Sequence, residues 1–150
     1  MIIRKAKKED CPRLLELVRE LAEFEKAPEE VTIKIDQFEK SGFGEHPVWW
    51  AFVAEDTKSG RVVGFALYYI RFSTWKGERM YLEDIIVSKD WRGKGVGSKL
   101  FDSLLKEVKS NNFSGMTWQV LEWNEPAIKF YKKCKASFDP EWINCTIENN

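Results

Sequence analysis

The stretch Tyr81-Leu82-Glu83-Asp84-Ile85-Ile86-Val87-Ser88-Lys89-Asp90-Trp91-Arg92-Gly93-Lys94-Gly95-Val96-Gly97-Ser98 decides the fold. Its first seven residues have the β-branched content of a buried strand, and Leu100, Phe101, Leu104, Leu105 and Val108 then recur at helical spacing. Between strand and helix lies a glycine-rich loop. The first amides of a helix have no intrahelical acceptor and the macrodipole is positive there, so a phosphate oxygen can accept several N–H bonds at once. Gly93, Gly95 and Gly97 present no Cβ to obstruct that approach, and Arg92 and Lys94 add positive charge. The segment reads as a pyrophosphate cradle; the competing reading is a flexible strand-to-helix connection. Its alternating glycines match neither a Walker loop nor a Gly-x-Gly-x-x-Gly dinucleotide fingerprint.

Outward from the cradle, the pattern is that of a meander followed by helix and strand. Ile2 and Ile3 begin a first strand. Asp10 is placed to cap a helix whose Leu14, Leu17, Val18 and Leu21 share one face, and a shorter helix around Ile35 and Phe38 ends near Gly42. The apolar runs 49–55 and 61–72 flank Asp56-Thr57-Lys58-Ser59-Gly60, a hairpin signal, and Ser73-Thr74-Trp75-Lys76-Gly77 turns the chain into the strand 79–87. Beyond the cradle helix, a strand is expected over 116–121, a helix over 124–133 and a last strand over 142–147. The fold class is α/β (α+β): a mixed, mostly antiparallel sheet with helices on both faces, in one domain over residues 1–150.

The 150 residues contain 24 basic and 24 acidic side chains, a balance that argues against nucleic acid as a partner. Charge is segregated locally, with a net of −4 over residues 20–30 and +3 over residues 88–99. That suits a cationic substrate at one place and an anionic cofactor at another, or simply two solvated helix faces. Cys11, Cys134 and Cys145 make neither a disulfide framework nor a zinc site, and the single His46 has no companions for a metal. Arg4, Lys5, Lys7 and Lys8 interrupt any leader-like apolar run, and no 18-residue apolar stretch exists to span a membrane. The expectation is a cytoplasmic protein that works without a metal or a membrane.

The sequence resembles the GNAT superfamily of acetyl-CoA-dependent N-acetyltransferases, and within it the diamine acetyltransferases, the spermidine/spermine and thialysine enzymes. The resemblance rests on Arg-Glu-Leu-Ala-Glu-Phe-Glu-Lys at 19–26, Gly-Phe-Gly-Glu-His-Pro at 42–47, Ser-Thr-Trp-Lys-Gly at 73–77, Tyr-Leu-Glu-Asp at 81–84, the cradle at 92–97, and Trp-Asn-Glu-Pro-Ala-Ile-Lys-Phe-Tyr at 123–131. It implies a sheet that splays open beyond the cradle strand. The backbone of Ile85, Ile86 and Val87 would hold the pantetheine arm in that cleft. Arg92, Gly93, Lys94, Gly95, Val96, Gly97 and Ser98 would hold the pyrophosphate, and Asn124, Glu125, Pro126 and Ala127 would touch the cofactor again.

A lysine-like amine has a pKa of about 10.4, so about one molecule in a thousand to three thousand is the free nucleophile at neutral pH. Glu83 is the candidate base, acting directly or through water. Asp84 points to the opposite side in a regular strand, unless a bulge turns both into the cleft. By resemblance, Tyr131 is the general acid for the departing thiolate and also a cofactor contact. Phe24, Glu25, Trp75, Glu83, Asp84, Thr117, Trp118, Gln119 and Glu141 are the acceptor-side candidates, although Trp118 and Tyr131 also read as core aromatics. Lys135 stands where the family usually ends this helix with glycine; a non-Gly residue held left-handed there costs about 1 to 2 kcal/mol. The resemblance also implies a homodimer. The expected activity is acetyl transfer to the primary amine of a small diamine, polyamine or lysine-like amino acid. Acetylation of a protein or peptide amine, or a silent acetyl-CoA-binding module, are the alternatives; the presence of both Glu83 and Tyr131 argues against the module.

Overall fold

The computed structural model describes residues 1–149. The chain divides into two compact units, Met1–Trp118 and Gln119–Asn150. The first holds five strands in sequential order: β1 (Ile2–Lys5), β2 (Trp50–Glu55), β3 (Val62–Ser73), β4 (Gly77–Val87) and β5 (Met116–Thr117). The first four pair antiparallel and β5 joins β4 in parallel. Three helices belong to this unit: α1 (Cys11–Phe24), α2 (Ile35–Phe43) and α3 (Val96–Ser110). Among the described residues no helix is long and apolar enough to cross a membrane.

Side-chain alternation assigns the helices to opposite faces of the sheet. Leu14 and Leu17 of α1 are fully buried against Ala51 and Val53 of β2, Phe65 and Leu67 of β3, and Ile86 of β4, while Val18 and Leu21 pack at the margin of that cluster. Phe38 of α2 closes it, its ring 5.1 Å from Trp49. The other face meets α3, where the Tyr68 hydroxyl donates to Glu107 at 2.7 Å and Lys5 also pairs with Glu107. Burial pushes the Tyr68 pKa up to about 12, so it remains a donor. Val96, Leu100, Phe101 and Leu104 form the buried stripe of α3; Leu105, expected on it, is exposed, lying one residue past the face that meets the sheet.

Several expectations need correction. Asp10 flanks α1 but does not cap it through its side chain, because Arg4 binds that carboxylate at 2.8 and 3.0 Å and the Lys7 N–H donates to it at 2.7 Å. The strand expected over 116–121 stops at Thr117, where its ladder with β4 ends. The strand expected over 142–147 is not formed. In the second unit no other strand is present among the described residues to pair with it, and apolar alternation without a ladder partner does not make a strand. Local bonds organise this segment instead: Trp142 Nε1 and the Glu141 N–H both donate to the Asp139 carboxylate, at 2.8 and 3.1 Å.

The one helix of the second unit, α4 (Glu125–Lys133), is capped at its start by Asn124, whose side chain accepts the Ala127 N–H at 3.4 Å. At its end the expected left-handed residue is present: Lys135 has φ 63° and the Ala136 N–H reaches Tyr131 O at 3.1 Å. Lys26 after α1 and Asn112 after α3 adopt the same conformation, with equivalent closing bonds from Ala27 to Ala22 O and from Phe113 to Val108 O. Relief of the strain at Lys135 should outweigh the extra freedom glycine has when unfolded. Lys135→Gly is therefore expected to stabilise the protein by about 0.5–1 kcal/mol, measured as a higher urea midpoint; an unchanged or lower midpoint contradicts this.

Candidate active site

β4 carries the chemistry because it loses its neighbour. β5 pairs only with Met80 and Tyr81, whereas β4 continues to Val87, so among the described residues no strand adjoins Leu82 to Val87 on the β5 side. This is the expected splay. The backbone of Ile85, Ile86 and Val87 stands at that open edge, with Ile86 buried and its two neighbours half-buried.

Directly after β4 a short helical turn, Lys89–Trp91, precedes the glycine loop. Gly93 and Gly95 have φ of 75° and 84°, the left-handed region, and a Cβ at either would meet nothing within 4 Å. Glycine is needed there for backbone conformation, and the space over the loop is open. α3 begins at Val96 with Gly95 as its cap, and the first bond across the cap is Lys99 N–H to Gly95 O at 3.2 Å. The amides of Val96, Gly97 and Ser98 in the first turn have no intrahelical acceptor. Arg92 and Lys94 are exposed beside them, each against an aromatic ring: Arg92 5.7 Å from the Phe24 centroid, Lys94 5.2 Å from that of Trp91. Open space, helix-start amides without intrahelical acceptors and two cations fit a pyrophosphate.

Upstream on β4 the ladder with β3 slips. Leu67 is opposite Asp84 and Tyr68 opposite Leu82, leaving Glu83 as the extra residue of a β-bulge. Tyr68 and Leu82 belong to the α3 side, and Asp84 shares the α1 side with Leu67. The bulge brings Glu83 and Asp84 to one face, as the sequence allowed. Glu25, at the end of α1, completes a carboxylate cluster. Desolvation, with Glu83 and Glu25 adding repulsion, pushes the Asp84 pKa up to about 7. Desolvation also raises Glu25. A carboxylate poised near neutrality between two others can accept a proton and favours a cationic visitor.

Tyr69 and Tyr81, not among the sequence candidates, stand on the same face with ring centroids 5.0 Å apart. Arg71 lies 5.6 Å from the Tyr81 ring. Burial and the neighbouring Glu83 raise both phenols. The signal was present: Tyr81 precedes Glu83 by two residues on a strand, which puts them on one face.

The first unit thus brings Phe24, Glu25, Glu83 and Asp84 to one side of β4, next to the cradle. It does not bring Trp75 there. Trp75 is 87% exposed at the hairpin turn, and Asp84 pairs six positions further up β3 than that turn, about 20 Å away at strand spacing. Thr117 accepts from Arg79 at 3.4 Å, and the Trp118 ring packs edge-on against Phe101 at 5.5 Å. In the second unit, Tyr131 is buried in α4 with its ring 5.6 Å from Phe130, and Asn124 is buried at the cap. Glu125 and Pro126 are exposed on the first turn and Ala127 is half-buried. Gln119 donates to Asn144 at 2.8 Å, and Glu141 is exposed.

A strand open at one edge, running into a glycine loop that fits an anion, with a carboxylate cluster beside it, matches the framework of an acyl-group transferase. The family model described as the acetyltransferase (GNAT) family matches residues 11–136. A thialysine N-epsilon-acetyltransferase from Bos taurus is 41% identical over 142 residues, covering 91% of this chain and 84% of that protein. A spermidine/spermine N(1)-acetyltransferase-like protein from Homo sapiens is 32% identical over 134 residues, covering 86% of this chain and 19% of that one. Among solved structures, an integron cassette protein from the mobile metagenome of V. cholerae superposes with a TM-score of 0.78 at 28% identity, covering 99% of this chain and 93% of that one. The chain belongs to the GNAT acetyltransferase family and is an N-acetyltransferase.

Proposed function

We propose that this protein transfers the acetyl group of acetyl-CoA to the primary amine of a small diamine, polyamine or lysine-like amino acid such as thialysine, with residues 1–150 acting as one catalytic domain. The observation that carries this reading is the cluster of Glu25, Glu83 and Asp84 at the bulge of β4, close to the strand end that leads into the cradle. Thialysine acetyltransferase relatives at 38–41% identity support the acceptor class.

Acetyl-CoA, when bound, supplies an acetyl group activated as a thioester. Residues 92–98 hold its pyrophosphate, the backbone of 85–87 its arm, and Asn124 to Ala127 make the further contact the family uses. Glu83 and Asp84 take the proton from the acceptor ammonium, directly or through water, and Asp84 titrates close to working pH. The freed amine forms the C–N bond and the C–S bond breaks; the Tyr131 hydroxyl gives its proton to the departing sulfur and regains one from the second N–H of the attacking nitrogen through water, while the carboxylate passes its proton to solvent. Phe24, Glu25, Tyr69 and Tyr81 orient the acceptor, with Thr117, Trp118, Gln119 and Glu141 as further contacts; Trp75, at the far hairpin turn, is not one of them. Cytoplasmic residence and a homodimer belong to the same proposal; exposed Trp142 and Ile143 support the dimer.

The test is release of free thiol from acetyl-CoA across putrescine, spermidine, lysine, thialysine and a peptide panel. Small two-headed amines should be the efficient acceptors. A peptide as the sole acceptor would replace the small-amine reading, and no thiol release with any amine would favour a binding module.

If the carboxylates hold the distal cation, a diamine should exceed its monoamine isostere in kcat/KM by about fivefold, the worth of a partly exposed charge pair of about 1 kcal/mol. The preference should shrink at high ionic strength and in Glu25→Gln. Equal kcat/KM for both amines at low salt would remove the second charge from recognition.

A further inference from the structure

Glu20 touches neither the glycine loop nor the carboxylate cluster, yet it ties α1 to the cradle at two points. Its Oε1 accepts the N–H of Lys89 at 3.2 Å, where the chain leaves β4 for the cradle, and stands 3.6 Å from Nη2 of Arg92. Arg92 is also held by its Nε, which donates to Val87 O at 2.9 Å, and by the Phe24 ring beneath its guanidinium. Nε and Nη2 therefore face protein acceptors and the plane is supported. Among the described residues Nη1 has no bonding partner, and the side chain remains 43% exposed.

From this geometry we infer that Glu20 is a positioning residue for the cofactor: it sets the guanidinium of Arg92 so that Nη1 is directed to the pyrophosphate, and it joins that ion pair to the helix that carries Phe24 and Glu25. The inference rests on the acetyl-CoA reading above. An arginine on an unsupported loop loses its rotamer freedom when it binds an anion; one already anchored at Nε and Nη2 has lost most of it beforehand.

Two effects of Glu20 on an anionic ligand have opposite signs, which makes the inference testable. A carboxylate near the cradle repels phosphate, so removing it should tighten binding if charge is its only influence. If it positions Arg92, removing it should weaken binding. The experiment measures coenzyme A affinity by calorimetry, and kcat/KM with acetyl-CoA against acetyl-pantetheine, which lacks the pyrophosphate. It does so in wild type, Glu20→Leu, Glu20→Ala and Glu20→Gln, with Glu20→Leu repeated in an Arg92→Ala background.

Glu20→Leu and Glu20→Ala should weaken coenzyme A about tenfold and raise KM for acetyl-CoA with kcat little changed, while Gln, still an acceptor, returns affinity to within about threefold of wild type. Acetyl-pantetheine should be indifferent to all three, and Glu20→Leu should have no effect once Arg92 is alanine. Unchanged or tighter coenzyme A binding in Glu20→Leu and Glu20→Ala would overturn the inference, as would an equal loss with acetyl-pantetheine. A wild-type protein that fails to bind coenzyme A would refute the acetyl-CoA reading and this inference with it.

Discussion

Tyr131→Phe should lower turnover about 100-fold or more while leaving thermal unfolding and coenzyme A affinity unchanged. The ring of Tyr131 is 7% exposed on α4, and phenylalanine preserves its volume and its packing beside Phe130. What the variant removes is one proton donor. If Tyr131 is the general acid proposed above, the sulfur then departs as a bare thiolate, and the loss appears in kcat because such a donor acts only as the C–S bond breaks. A core aromatic with a satisfied hydroxyl predicts the opposite pattern, a lower denaturation midpoint with normal turnover. Measuring kcat and the urea midpoint together separates the two; normal kcat in Tyr131→Phe would return the residue to the core.

The sheet and the cradle were legible because each rests on a local, periodic signal. The apolar runs of β2 and β3 match a meander, β3 being buried on both faces from Val62 to Tyr68, and Gly60 and Gly77, both at positive φ, lie at the turns where the sequence placed them. Arg92 to Gly95 stand between strand and helix and Val96 to Ser98 open α3, and the left-handed conformation at Lys135 followed from its offset after α4. Features set by non-local partners were not legible. Asp10 is a good capping residue by type, but Arg4, six residues back on β1, takes its carboxylate. The apolar segment at 142–147 has the composition of a strand, yet a strand exists only where a second backbone supplies its ladder.

The acceptor side shows the same division. Glu83 and Asp84 could be named from sequence, but their common orientation depends on one slipped pair between Leu67 and Tyr68, a register event that no residue type announces. Trp75 belongs to a recognisable motif, while its distance from the carboxylates is set by the lengths of β3 and β4. Glu20 was legible only as one charge in an acidic run; its partners Lys89 and Arg92 lie far along the chain.

Asp84→Asn should reduce kcat/KM about 100-fold near neutral pH, the usual contribution of a positioned base, and remove one ionisation from the pH profile. In wild type the reactive pair is ionised Asp84, formed at about pH 7, and the acceptor ammonium whose proton it takes. The logarithm of kcat/KM should therefore rise with a slope of about one below pH 7 and level off above it; in Asp84→Asn, where the amine must arrive already deprotonated, the slope should be about one throughout. Glu83→Gln should shift the break to lower pH, because Glu83 is one of the two charges that oppose ionisation of Asp84. Stability carries the complementary signature. The folded pKa of Asp84 lies above its ordinary value of 3.8, so the unfolded chain releases this proton first as pH rises. The native state therefore loses stability between about pH 4 and pH 7 and none from this group above that. Asp84→Asn carries no such cost, so its denaturation midpoint should exceed that of wild type at pH 8 and converge with it towards pH 4, a gain in stability set against a loss of activity. A wild-type profile without a break near pH 7, or a variant less stable than wild type at pH 8, would show that Asp84 is already ionised and paired in the fold, and would leave Glu83 to accept the proton alone.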